Sequence, residues 1–191
     1  MGLCSSHENN LNVNMSIYIS SWDRTNNIGG IRRTACIFEI PLYIGEKGNR
    51  GNKDRSPQGR ITTRERKDIE RVCQGVGSHT VVTNPLDLFN MISSDTIFIL
   101  MEAPNFWKNR NINPISLYDI SPTGNIVFVF GNERDGISDD TLNMFKYVPC
   151  YLPQNEKLVN TRKRHNNVSL NLAHVVVITI GIMKGKNLKC L

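Results

Sequence analysis

Short β-rich apolar segments alternate along this chain with stretches of helical spacing, and that alternation narrows the fold more than any other feature. Strands are expected over Ser16–Ser20, Pro41–Ile44, Thr80–Thr83, Thr96–Met101, Ile126–Phe130 and Tyr147–Leu152. Helices are expected near Ile28–Glu39, Arg64–Gln74, Pro85–Ile92, Asp139–Phe145 and Val168–Met183. Strand and helix taking turns describe an α/β domain with a mostly parallel sheet flanked by helices. In such sheets ligands gather in the loops beyond the carboxyl ends of the strands. The last helix is in conflict with its own composition, because "HVVVITIGI" is rich in β-branched residues and suits a buried strand on propensity alone.

With 191 residues the chain is long enough for one domain with a substantial core and short for two. Its five cysteines are scattered and form no C-x-x-C pair, so neither a zinc ribbon nor a disulfide framework is indicated. Reduced thiols point to a cytoplasmic setting, with a nuclear or nucleolar one as the alternative. The opening "MGLCSSHENNLNVN" lacks the apolar core of a signal peptide, and residues 1–14 are expected to be a flexible tail. It matches the loose myristoylation pattern, but so short a pattern recurs by chance. The longest apolar run, Val175–Met183, falls far short of the roughly 20 residues of a bilayer span, so no membrane role is expected.

Charge is unevenly placed. The net charge is +6, and Glu46–Arg71 holds nine Lys or Arg against five Asp or Glu. The segment Gln154–Asn167 adds four basic residues, three of them consecutive. Both read as inserts, near 46–68 and 154–167, in a single domain spanning 15–191. They are either solvated loops or arms that grasp a polyanion. Arg60, Arg64, Arg66, Lys67, Arg162, Lys163 and Arg164 are the candidate polyanion-contacting side chains.

Three stretches carry the chemistry. Gly131–Ser138 reads G-N-E-R-D-G-I-S, which fits the spacing of a phosphate-binding P-loop except that Ile137 stands where the lysine belongs. An isoleucine cannot neutralise terminal phosphates, so a nucleotide hydrolase is not supported. What remains is a strand, a tight loop, a helix capped by Ser138 or Asp139, and one carboxylate, Glu133, at the strand ends. Asn26–Ala35 places Gly29-Gly30 before Arg32-Arg33 on the opening turns of a helix, where cations oppose the dipole unless they have an anionic partner. A plain surface pair is the alternative. In Asn166–Val177, Ser169 and Asn171 sit where a helix begins, and His174 reads as a core or interface histidine. "GVGSHT" at Gly75–Thr80 is a broken glycine fingerprint, no G-x-S-x-G or H-E-x-x-H occurs, and no metal site is indicated.

Together these stretches resemble the SpoU/TrmH family of SPOUT RNA ribose methyltransferases. Its first motif, N-x-G-x-x-x-R-T-A, matches Asn27, Gly29, Arg33, Thr34 and Ala35. Its second, G-N-E-x-x-G-[IL]-S, matches Gly131, Asn132, Glu133, Gly136, Ile137 and Ser138. Its third, I-P followed later by S-L-N, matches Leu152-Pro153 and Ser169-Leu170-Asn171. "GVGSHTVVT" and "TIFILMEAP" resemble the family's third and fourth strands with their leads, so the likeness runs from about Ser16 to Met183.

The resemblance implies an α/β domain with a C-terminal deep trefoil knot, a homodimer, and S-adenosylmethionine bound in the knot. It makes the last segment a helix. It implies catalytic roles for Arg33, Glu133, Asn27, Ser169 and Asn171. Glu102, Ala103, Gly131, Asn132, Gly136, Leu152, Pro153 and Leu170 would line the cofactor, and Arg32 would join the RNA contacts. "FGNERDGIS" is similar to the tRNA guanosine-methylating branch, with ribosomal RNA, or a non-catalytic RNA-binding protein on the same fold, as alternatives. Two departures stand out. The spacer between Pro153 and Ser169 is long, and no separate N-terminal RNA-binding domain precedes the motifs, as expected of a minimal enzyme or the terminal piece of a larger one.

Overall fold

Ile126–Phe130 is buried at every position, which marks a strand covered on both faces, as in the interior of a parallel sheet. A computed structural model describes residues 13–47, 63–64, 67, 71, 80–81, 85–121, 123–133, 135–153 and 170–188. In chain order these form β1 (Asn14–Trp22), α1 (Thr25–Ile37), β2 (Leu42–Lys47), β3 (Thr80–Val81), α2 (Pro85–Met91) and β4 (Ile97–Met101). There follow α3 (Pro104–Lys108), β5 (Ile115–Ser116), a 3-10 turn (Leu117–Asp119), β6 (Asn125–Phe130), α4 (Asp139–Met144), β7 (Tyr147–Tyr151) and α5 (Leu172–Leu188). The described strands make one seven-stranded sheet in the order β3-β2-β1-β6-β4-β7-β5, with every pairing parallel.

Strand alternation sorts the core into two layers. Ile17, Ile19, Ile99, Met101, Ile126, Phe128 and Phe130 face one side with Ile28 and Ile31 of α1 and Val176, Ile180 and Met183 of α5. Tyr18, Phe98, Leu100, Val127 and Val129 face the other with Leu88 of α2, Trp107 of α3 and Phe145 after α4. Each fully buried large apolar side chain, such as Phe128, contributes about 2–3 kcal/mol of burial.

The last segment is helical despite its β-branched run. Leu172, Val176, Thr179, Ile180 and Met183 are buried at helical spacing. The Asn171 side chain accepts the Ala173 N–H at 2.9 Å and so caps the helix start. Packing and capping override a propensity difference of a few tenths of a kcal/mol per residue. At the far end, Lys186 Nζ donates to the carbonyls of Leu117, Tyr118 and Ile120, fastening α5 to the 3-10 turn.

Each expected strand has a counterpart, whereas α3 and β5 add elements that pattern alone did not mark. Pro104 at the first turn of α3 is the one local signal. β5 has two residues, too few to show a period. Residues 63, 64, 67 and 71 of the expected helix Arg64–Gln74 and its lead are helical. Residues 1–12 of the expected tail, both inserts for the most part, and the passage of 154–169 on which the expected knot depends lie outside the described residues. No helix among the described residues is long and apolar enough to cross a membrane.

Candidate active site

β1, β6 and β4 lie side by side, with Ile19, Phe130 and Met101 in matching register at their carboxyl ends. The chain leaves β1 toward β2 on one side, while β6 and β4 lie on the other. The loops after these strands therefore open at a reversal of strand order, where parallel sheets form crevices.

The loop after β6 folds on itself. Asn132 Oδ1 accepts the Asp135 N–H at 2.7 Å, and the Asn132 carbonyl accepts the Gly136 N–H at 3.2 Å. Asn132 Nδ2 reaches Ser21 Oγ of β1 at 3.3 Å and Asp135 Oδ2 at 3.4 Å. Asn132 is buried, and its side chain is spent on closing the loop. Asp135, to which the sequence lent no role, shares that work. Gly131 and Gly136 lie back to back: a Cβ on Gly131 would stand 2.1 Å from the Gly136 carbonyl carbon. Gly136 has φ +69°, a conformation that favours glycine. Ser138 caps α4 by accepting the Thr141 N–H.

Three motifs that are distant in sequence meet on one oxygen. Glu133 Oε1 accepts from Asn27 Nδ2 of α1, from Asn171 Nδ2 at 3.5 Å and from the Leu172 N–H at 3.4 Å. Asn171 Nδ2 also donates to Asn27 Oδ1 at 3.0 Å. Because Asn171 Oδ1 is committed to Ala173, its amide nitrogen must face Asn27. Asn27 must then turn its own nitrogen to the carboxylate. The donors run in one direction and end on Glu133, which also lies at the positive end of α5.

Glu102 follows β4. Its Oε1 accepts the Ile137 N–H at 2.7 Å. Burial pushes its pKa up to about 7, against the opposing effects of the Ile137 and Ala103 N–H groups and the Arg110 guanidinium. Arg110 lies over the Phe106 ring at 4.0 Å and pairs with Asp139 at 3.0 Å. Leu152 is buried, Pro153 and Leu170 are half-buried, and Ala103 is exposed. The nearby Cys150 thiol is buried and pushed up to about 12, so it stays protonated and is no nucleophile.

Two expectations on α1 and α5 change. α1 begins at Thr25, so Arg32 and Arg33 lie in its middle rather than on its opening turns, and the dipole argument lapses. Arg33 is exposed, but Arg32 is 6% exposed because it shares the helical stripe of Ile28, Ile31 and Ala35. Arg32 is thereby removed from the surface RNA contacts expected of it. Of the two places expected for His174, core or interface, its exposure in the single chain excludes the core and leaves the interface. Arg64 and Lys67 are exposed, as an RNA-facing role requires. Ser169, Arg134, Arg60, Arg66, Arg162, Lys163 and Arg164 lie outside the described residues. No cluster able to hold a metal ion occurs among the described residues.

No protein-family model matches the chain, and no curated protein matches it by sequence. Solved structures match it by shape. An AdoMet-bound rRNA methyltransferase from Sinorhizobium meliloti superposes with a TM-score of 0.64 at 14% identity, over 90% of this chain and 56% of that one. The SpoU methyltransferase AviRb from Streptomyces viridochromogenes, in complex with AdoMet, gives 0.62 at 14%, over 90% and 57%. A structure reported for the 2-OH methylation of C/U34 on tRNA gives 0.56 at 17%, over 92% and 97%. At these identities the likeness establishes architecture alone: the chain shares the parallel α/β fold of these methyltransferase structures.

Proposed function

We propose that the protein is an S-adenosylmethionine-dependent RNA ribose 2′-O-methyltransferase, acting on tRNA at a guanosine. The observation that carries this reading is the meeting of Asn27, Glu133 and Asn171 on one carboxylate oxygen. These residues come from three separate motifs of one resemblance, and a loop that only turned the chain would need none of them. The fold shared with AdoMet-bound methyltransferases supports it. A second reading, ribosomal RNA as substrate, is favoured by the likeness to the rRNA enzyme.

The residues present suit the cofactor. The loop after β6 has no side chain at Gly131 or Gly136, and the apolar Leu152 and Leu170 belong to the same core layer as α1 and α5, which suits a ligand that is partly apolar and approaches the loop backbone closely. Ala103, Leu152, Pro153, Leu170 and the loop backbone would hold it. When bound, it supplies a methyl group already activated by a sulfonium charge. The protein's share is to align the ribose hydroxyl and help it lose its proton. Glu133, held through Oε1, would orient that hydroxyl or take its proton. Arg33 would grip a phosphate through its planar guanidinium fork and stabilise the developing alkoxide, reaching across a homodimer to its partner's site. Exposed Val177 and Ile178 on α5 are apolar surface available to that dimer. The basic inserts would act as substrate arms, and the knot would enclose the cofactor.

Mass mapping of nuclease digests, after incubation of tRNA and rRNA with labelled cofactor, tests the reading. The expected product is a 2′-O-methylguanosine in tRNA. Glu133→Gln keeps an acceptor for all three donors but removes the charge. It is expected to lower turnover about 100-fold or more with cofactor affinity preserved. A methylated base, or no transfer to any RNA, would sink the proposal.

A further inference from the structure

The loop from Gly131 to Ser138 is tied down on three sides. Asn132 joins it to Ser21 of β1, Glu133 joins it to α1 and α5, and Glu102 joins its far half to β4. The Glu102 backbone N–H is itself bonded to the Cys150 carbonyl of β7 at 3.1 Å, so the residue is anchored before its side chain reaches out. Its carboxyl fits under the loop because residue 136 has no side chain. A Cβ on Gly136 would lie 2.8 Å from Glu102 Oε1 and 2.9 Å from the Phe106 ring. Phe106 closes the same space beside residue 136, while burial dominates the charge state of the carboxyl and Arg110, stacked on Phe106 and paired with Asp139 at the start of α4, opposes it only weakly.

We propose that Glu102 is a positioning residue for the site: by holding the Ile137 N–H it fixes the distal half of the loop, so that the cofactor-facing backbone and Glu133 are presented together. This gives the Glu102 side chain a different task from lining the cofactor, and it rests on the methyltransferase reading above. What the latch requires is an acceptor oxygen at this place, which a carboxylate, a neutral carboxyl group and a primary amide all supply. Titration of Glu102 near neutrality therefore leaves the bond in place.

The test compares Glu102→Ala and Glu102→Gln in the full chain. Backbone amide exchange at Ile137 is read without ligand, and S-adenosylmethionine binding is read by calorimetry. Glu102→Ala is expected to speed Ile137 exchange about tenfold or more and to weaken binding about tenfold. Glu102→Gln is expected to stay within about threefold of the wild type in both. Unchanged Ile137 protection in the alanine variant overturns the proposal, as does an amide variant as impaired as the alanine one. If Glu102→Ala does not fold, Glu102→Asp, one methylene shorter, takes its place with the same expectations. A wild-type protein that fails to bind S-adenosylmethionine would undo the methyltransferase reading, while Ile137 exchange would still decide the latch.

Discussion

Glu102 keeps its proton to a pKa of about 7 in the folded chain, against an ordinary value of 4.5, because burial penalises the charged form. A carboxyl group that binds its proton more tightly when folded contributes stability that is complete below pH 4.5 and is lost as the pH rises through about 7. Glu102→Gln cannot ionise, so its stability is expected to run flatter than the wild type across that window. At pH 8 the variant should be the more stable by about 3 kcal/mol. Urea midpoints from pH 4 to 8 measure this, and parallel profiles would refute it. Asn27, Glu133 and Asn171 could be picked out in the sequence because each sits in a short pattern of its own. The partnership of Glu102 with Ile137 could not, since it spans 35 positions and uses a backbone donor that any residue but proline provides.

Among the elements, two glycines of similar appearance in the sequence have opposite tolerances. Gly30 lies inside α1, and a Cβ there would meet the Ala173 Cβ at 3.9 Å, an ordinary contact. Gly30→Ala is therefore expected to stabilise the helix by about 0.5–1 kcal/mol and raise the Tm by about 2 °C. Gly131→Ala would press a methyl group into the Gly136 backbone, costing about 3 kcal/mol or more and opening the loop. Thermal unfolding of the two variants checks the pair, and a tolerated alanine at 131 would refute the back-to-back packing. The strands were readable because both faces are buried and the apolar runs are continuous. The last helix was readable only through its motif, since its composition favours a strand and its helicity comes from the Asn171 cap and the contact with α1. β5 owes its existence to the edge of β7 rather than to its own two residues.

At the scale of the whole molecule, the described sheet is parallel throughout, and its contacts are correspondingly remote in sequence. β1 pairs with β6 from Asn14–Asn125 to Ile19–Phe130. Such pairings fold slowly because a long loop must close before any contact forms. Refolding from urea is expected to be slow and to lose yield as protein concentration rises, measured by light scattering alongside recovered secondary structure. A yield independent of concentration would refute this. The strand order has a consequence for synthesis. β6 occupies the middle of the sheet, yet it is made after both of its neighbours, β1 and β4. On the ribosome those two strands emerge with bare edges facing a gap, and they must wait for the residues between Met101 and Phe130. At about 5–20 residues per second the delay is on the order of a few seconds. For that interval the nascent chain carries two sticky edges that a chaperone must cover or a neighbouring chain will find.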